Sequence, residues 1–327
     1  MINKLSQYHE GTQPIRVLQH NIVKQFEDTT PDFIQLTLDT IIDKGLKMGI
    51  GYFINEFPID YKINGHSSQT PYVDGAKKIH IHETFASYVW CIAYSLVVLY
   101  DEAVAKPSQN LFLGEERNKI DTHKIAKAQD VFNYGISLIK IFTPWDKENL
   151  PNPEYYHEDD EFYIIRVNSI FVYALNFILC HEFIHVEREH IDKLIVGTAS
   201  SLDKLEFEKE ADKKAIELIL SGVSEERRIS ANAGILVGLC SLLYFKNETL
   251  SRTHPDTDKR IDNLPNYIKP NNDDPIWGIA SLAYRLWDNQ FTKSLSYPKQ
   301  VEDFKEMYEW IKALVEEENK VSRSRIR

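Results

Sequence analysis

The sequence of this chain centres on the stretch Cys180-His181-Glu182-Phe183-Ile184-His185, which contains the pattern HExxH. On a helix, positions four residues apart lie on one face, about one turn apart. His181 and His185 can therefore offer two imidazole nitrogens to one ion, and Zn²⁺ is the metal expected for such a pair. Glu182 can then act as the general base toward a water at that ion.

A buried helix with two hydrogen-bonded histidines is the alternative interpretation of HExxH. The pattern arises by chance in a chain of this length on the order of a few per cent of the time. Residues 170–180 (IFVYALNFILC) form an apolar run that leads into the motif. Such a run would hold the motif helix inside a core, which favours the metal site.

The identity of the third ligand decides the class of metal site. Metzincins place a third His ten residues after the first, but Ile191 occupies that position and His190 is one residue short. We expect His190 to be a solvated residue near the end of the helix. A carboxylate from a later helix is the other known solution.

Residues 206–212 (EFEKEAD) offer such a carboxylate. Glu208 and Asp212 are four residues apart and share a helical face. This spacing predicts Glu208 as the metal ligand and Asp212 as the residue that binds the first histidine and fixes its tautomer. Glu206 and Glu210 compete for the ligand role, and an exposed acidic helix face is the alternative for the whole stretch.

Three motifs in this order resemble the signature of the M48-like gluzincin metallopeptidases. They are HEFIH at 181–185, Glu-x-x-Ala-Asp at 208–212, and Thr253-His254-Pro255 followed by Arg260. The same order is similar to that of the Lit-type phage-exclusion peptidases, family U49. This resemblance implies a zincin-like (gluzincin) core, Zn²⁺ as the cofactor, and a zinc-dependent endopeptidase.

The resemblance also implies roles for the third motif. His254 would donate a hydrogen bond to the oxyanion, because zinc alone does not fully stabilise the developing negative charge. Arg260 would support that loop or share the charge. An ordinary loop turn and a surface ion pair are the alternatives for these two residues.

Membership of family U49 would further imply a cytoplasmic protease of phage defence. Its substrate would be a host translation factor such as elongation factor Tu, and a phage-derived molecule would activate it. The alternative is a non-enzymatic protein with a structural zinc site, although such sites normally close their fourth position, often with Cys. A regulatory module for a nucleotide or peptide is a third possibility, and neither a P-loop nor GxGxxG supports the nucleotide version.

Composition indicates a globular chain: 327 residues, 43% hydrophobic and 27% charged. The net charge of −11 speaks against nucleic-acid binding and against docking to anionic lipid. Three scattered cysteines favour a reducing, cytoplasmic compartment. We expect no signal peptide, since the first residues (MINKLSQYHEG) contain no apolar run. We also expect no membrane span, since the apolar runs 86–100 and 170–186 fall short of about 20 uninterrupted apolar residues.

The hydrophobic pattern predicts a mostly α-helical α+β fold with a small antiparallel β-sheet. We expect an N-terminal α+β region over 1–125, packed as one compact unit on a catalytic region over 126–327. A break is expected at 106–110, and the proline-rich loop at 143–161 is a candidate gate for the site. Helices are predicted at 14–27, 31–48, 84–105, 122–142, 230–245, 276–291 and 298–318, and strands at 52–64 and 78–83.

Overall fold

The computed structural model describes residues 13–46, 70–81, 83–114, 118–140, 143–247, 249, 256–298 and 301–326. Helices dominate this part of the chain: α1 (Gln19–Glu27), α2 (Phe33–Lys44), α3 (Glu83–Tyr100), α4 (Lys106–Leu113), α5 (Thr122–Lys140), α6 (Glu161–Glu187), α7 (His190–Ile195), α8 (Ser201–Gly222), α9 (Arg228–Cys240), α10 (Thr257–Asn263), α11 (Pro265–Ile268), α12 (Pro275–Phe291) and α13 (Phe304–Ile326). Short 3-10 helices cover Pro14–Leu18, Glu158–Asp160, Glu225–Arg227 and Leu243–Phe245.

Two short strands, β1 (Tyr72–Val73) and β2 (Ile79–His80), form an antiparallel pair in which Tyr72 lies opposite His80. The prediction of a mostly helical chain with a small antiparallel sheet is confirmed. The strand predicted at 52–64 lies outside the described residues. The strand predicted at 78–83 is shorter than expected, because α3 already begins at Glu83.

Helix α6 lies at the centre of the fold, and its sequence explains why. Its side chains are almost all buried from Ile170 to Val186, including the polar residues Asn176, His181 and His185. Helices α1, α3, α8 and α9 pack around it. A helix that is apolar on nearly every face is stable only when other elements cover it.

Three helical stretches are long and apolar enough to cross a membrane by length and composition alone: Glu83–Leu113, Glu158–Glu187 and Glu225–Phe245. In the structure, 78%, 67% and 67% of their most apolar windows are buried. Helix α3 packs along α5 and α6, and α9 packs along α6. The helices that contain the apolar runs 86–100 and 170–186 are thus longer than the sequence predicted, and in this structure both runs lie in the core. The expected boundary between an N-terminal region (1–125) and a catalytic region (126–327) stays a prediction.

Helix α9 approaches α6 closely in the turns that precede the HExxH motif. A Cβ atom at Gly234 would lie 2.4 Å from the Cβ of Tyr173, and one at Gly238 would lie 2.9 Å from the ring of Phe177. Only glycine lets the two backbones meet at this distance. This contact fixes the position of α6 from one side.

Helices α1 and α2 support a second face of α6. The ring of Phe183, inside the motif, lies 5.2 Å from Phe33 and 6.2 Å from Phe26. In the turn between the two helices, Thr29 Oγ1 lies 3.1 Å from Asn176 Oδ1. A Cβ atom at Gly222 would lie 1.8 Å from the carbonyl oxygen of Thr29, so the same turn also packs against the end of α8.

The break expected at 106–110 is wrong. The chain continues from α3 through a π-helical turn at Asp101–Ala105 into α4. Pro107 is the second residue of α4, so the irregular π-helical turn comes where proline has no N–H to donate to the preceding turn. At the other end of the chain, α13 runs to Ile326, beyond the predicted end at 318.

Candidate metal centre

One ligand atom from each of His181, His185 and Glu208 comes together where α6 passes α8. The two Nε2 atoms of the histidines lie 3.2 Å apart. Glu208 Oε2 lies 3.4 Å from Nε2 of His181, and Oε1 lies 3.6 Å from Nε2 of His185. Ligand atoms of a tetrahedral site with bonds of 2.0–2.1 Å are about 3.3 Å apart, so these three donors fit one small divalent ion.

The cluster is almost removed from solvent. Both histidines are 7% exposed, and the side chain of Glu208 is 14% exposed. Burial alone would lower the pKa of His181, but the carboxylates of Asp212 and Glu208 raise it to about 10. Burial and the charge on His181 lower the pKa of His185 to about 3. Without a metal, His181 therefore carries a second ring proton and a positive charge, while His185 stays neutral with one ring proton.

A buried ion pair between Asp212 and Arg260 contacts His181 on the side of its ring that faces away from the cluster. The Nδ1 atom of His181 donates to Asp212 Oδ1 at 2.9 Å, which turns Nε2 toward Glu208 and His185. Arg260 donates to both oxygens of Asp212, from Nη2 at 2.6 Å and from Nε at 2.7 Å. Although burial opposes it, the charges of Arg260 and His181 lower the pKa of Asp212 and keep it ionised.

Arg260 thus contacts the site through Asp212. Its side chain is 10% exposed, and α10 carries it from a position 48 residues further along the chain. Burial would lower the pKa of the guanidinium, but Asp212 raises it, and the charges of Glu208 and Glu182 also contribute. The structure therefore adds a supporting role that the sequence did not predict, and the expected action of Arg260 on an oxyanion stays a prediction.

The expectation that His190 is solvated is wrong. This side chain is 1% exposed, and its ring stacks on Phe207 with centroids 4.2 Å apart and planes 9° apart. Its Nδ1 lies 3.2 Å from Nδ1 of His185, and its Nε2 lies 3.3 Å from Oε2 of Glu210. Sequence analysis missed a polar partner of the second motif histidine.

The cause of this miss is a change of chain direction at Glu189. On a continuous helix, five residues at about 100° each would put His190 about 140° away from His185. Glu189 instead adopts a left-handed conformation with φ 58°, so α6 ends and α7 begins in a new direction. Left-handed turns at residues other than glycine are uncommon, and nothing in the local sequence indicates one.

Of the remaining predicted residues, the structure describes Glu182, Glu206 and Glu210. Glu182 follows His181 on α6 and is partly exposed. His254 lies outside the described residues, and its role stays a prediction. Glu206 is 69% exposed and paired with Lys209 at 2.7 Å, so it is not at the cluster, and Glu210 contacts His190.

The loop proposed as a gate lies away from the cluster. Trp145 packs against Trp90 and Tyr134, and the loop lines a cavity of about 290 Å³ that also includes Lys127. Helix α6 begins after this loop, and His181 is about 30 Å further along it at 1.5 Å per residue. The structure does not place this loop over the metal centre.

Comparison with known protein families matches residues 79–280 to the family described as Peptidase U49. The matched range covers more than half of the chain and includes the HExxH pattern, Glu208, Asp212 and Arg260. The chain therefore belongs to the peptidase U49 family, as the order of its motifs predicted. No curated protein and no solved structure matched in the corresponding comparisons.

Proposed function

We propose that this member of the peptidase U49 family is a zinc-dependent endopeptidase of the gluzincin type, acting on an intracellular protein. The observation that carries the proposal is the buried cluster of His181, His185 and Glu208, with donor atoms 3.2–3.6 Å apart. Zinc bound there would activate a water and polarise the substrate carbonyl. Family membership supports peptide-bond hydrolysis as the reaction.

Two side chains would move or stabilise charge during the reaction. Glu182, directly after the first ligand, would accept a proton from the attacking water and pass it to the leaving amine. His254 would donate a hydrogen bond to the oxyanion of the tetrahedral intermediate. Donors aimed at developing charge are among the largest contributions to catalysis.

Asp212 and Arg260 would position the first ligand. Because Asp212 accepts from Nδ1 of His181, Nε2 is the nitrogen that faces the cluster and that would offer its lone pair to a metal. The two hydrogen bonds from Arg260 keep Asp212 from rotating away and keep it ionised. Such a carboxylate behind a metal-binding histidine is a recurrent way to fix both its ring and its tautomer.

A structural zinc site is the alternative to a catalytic one. Structural sites normally use a fourth protein ligand, often Cys. The three cysteines, Cys91, Cys180 and Cys240, are buried, and none joins the cluster within the described residues. The presence of Glu182 directly after the first proposed ligand also favours catalysis.

A Glu182→Gln variant separates the two functions. It removes the proton acceptor and leaves all three proposed ligands, so zinc content should match the wild type while cleavage falls by about 10²–10⁴-fold or more. Proteome-wide identification of new peptide termini would report cleavage, and elemental analysis would report zinc. Equal cleavage by the two proteins would contradict the role of Glu182, and zinc-loaded wild type that produces no new termini would favour the structural alternative.

We further propose a host translation factor such as elongation factor Tu as the substrate, cut in the cytoplasm as part of phage defence after a phage-derived activator is present. This proposal is supported by membership of family U49 and by the resemblance of the motifs to phage-exclusion peptidases. Purified elongation factor Tu would be incubated with wild type or Glu182→Gln, with and without extract of phage-infected cells. Intact factor under all four conditions would contradict it.

A further inference from the structure

We propose that His190 is a positioning residue that fixes the ring and the tautomer of His185, through a contact chain that runs from Glu210 through His190 to His185. The proposal rests on the metal site described above and goes beyond its three ligands. It would give the second histidine a support of its own, separate from Asp212.

The orientation of His185 identifies the contact that needs a partner. Its Nε2 faces the cluster, 3.2 Å from Nε2 of His181 and 3.6 Å from Glu208. Its Nδ1 therefore points out of the cluster, into a region where the polar neighbour is Nδ1 of His190 at 3.2 Å. The two rings are 5.2 Å apart and inclined at 70°, so the contact is between ring edges rather than faces.

Only one arrangement of protons satisfies this chain when Nε2 of His185 offers its lone pair to a metal. The proton of His185 must then be on Nδ1, and His190 must accept it at Nδ1. A neutral His190 consequently carries its own proton on Nε2. That atom lies 3.3 Å from Oε2 of Glu210, which accepts it.

Several contacts hold His190 where it can serve this purpose. Phe207 of α8 stacks on its ring, and the left-handed turn at Glu189 brings it beneath α6. At the surface, the carboxylate of Glu189 accepts a hydrogen bond from Nζ of Lys44 of α2 at 2.6 Å. Burying an imidazole is unfavourable unless its polar atoms are paired, and both nitrogens of His190 have a polar neighbour.

Two substitutions at one position separate positioning from packing. His190→Phe keeps a ring that can stack on Phe207 but removes the acceptor for His185. His190→Asn loses the ring, yet its side-chain oxygen can take the place of Nδ1 and accept the same proton. The probe is metal alone: zinc affinity by competition with a chromophoric chelator, and the visible spectrum of the cobalt-loaded protein.

We expect His190→Phe to bind zinc about 10–100-fold more weakly than wild type and to change the cobalt spectrum, as for other partners of metal-binding histidines. His190→Asn should retain affinity and spectrum close to wild type. The opposite ranking, or wild-type behaviour of His190→Phe, would overturn the proposal.

A second pair of variants decides the question if the changes at His190 prevent folding. Glu210 is 42% exposed and Glu206 is 69% exposed on the same helix, so both tolerate truncation. Glu210→Ala should weaken zinc binding and Glu206→Ala should not, and equal affinities would overturn the proposal. Wild type that binds neither zinc nor cobalt would overturn the metal site itself, and the two failures are thus distinguishable.

Discussion

The two motif histidines lie one turn apart on the same helix, yet the groups behind them differ. The ring of His181 contacts the buried carboxylate of Asp212, which accepts hydrogen bonds of 2.6 and 2.7 Å from the buried guanidinium of Arg260. Behind His185 stands the imidazole of His190 at 3.2 Å, followed by the partly exposed Glu210 at 3.3 Å.

This difference indicates a rigid, charged side of the proposed metal centre, formed by Asp212 and Arg260, and a weaker side, formed by His190 and Glu210. Hydrogen bonds between charged groups are shorter and about twice as strong as those between neutral groups. The charged side also costs more to disturb, because removing one partner leaves the other charge buried and unpaired. The side formed by His190 and the partly exposed Glu210 contributes orientation at a smaller cost in desolvation.

The largest effect is expected for Asp212→Ala. It leaves Arg260 buried without its partner, which should lower the free energy of unfolding by about 3–5 kcal/mol. Urea denaturation of the metal-free protein measures this directly, with Glu206→Ala as a control on the same helix. If the two variants were equally stable, the charged side would not be the rigid one.

An intermediate effect is expected for Arg260→Lys. Lysine cannot donate to both oxygens of Asp212 in the geometry of a guanidinium, so one charged hydrogen bond is lost. The expected loss is about 1.5–3 kcal/mol of stability, accompanied by weaker zinc binding. A fall in kcat with unchanged stability and zinc affinity would show instead that Arg260 acts on the oxyanion.

The smallest effect is expected in the pH dependence of zinc binding. The pKa of His181 is raised to about 10 and that of His185 is lowered to about 3 in the metal-free protein. At pH 8 only His181 is then in the doubly protonated, positively charged form, and a histidine that binds a metal must be neutral, so zinc binding should release about one proton. Affinity should consequently rise about tenfold per pH unit below pH 10.

Calorimetry in two buffers with different heats of ionisation measures the number of protons released at pH 8. Release from one histidine alone would support the asymmetry between the two sides. Release of no proton would contradict the charged state of His181, and release of two would contradict the neutral state of His185.

The sequence alone was enough to place the proposed ligands on helices, because a spacing of four residues puts two side chains on the same face of α6 or α8. It could not show the left-handed turn at Glu189, which places His190 beside His185 without any glycine to indicate it. It also could not show that Arg260 reaches Asp212, since that contact joins residues 48 positions apart through the packing of separate helices.

The prediction of the fold succeeded for a similar reason, and it failed where the direction or the end of a helix depends on local backbone geometry. Long apolar runs predicted the core helices correctly, since their burial follows from composition. The break at Pro107 was wrong, because a π-helical turn before it lets the chain continue in helical form. Local signals of helix ends are thus less reliable than the periodic pattern within a helix.

The central claim is that His181, His185 and Glu208 bind one metal ion. The most direct test is elemental analysis of the purified wild type beside Glu208→Ala. We predict about one zinc per chain in the wild type and much less in the variant, as for a three-ligand catalytic site. Wild type that contains no zinc, even after supplementation, would contradict the claim and leave the histidines as buried core residues.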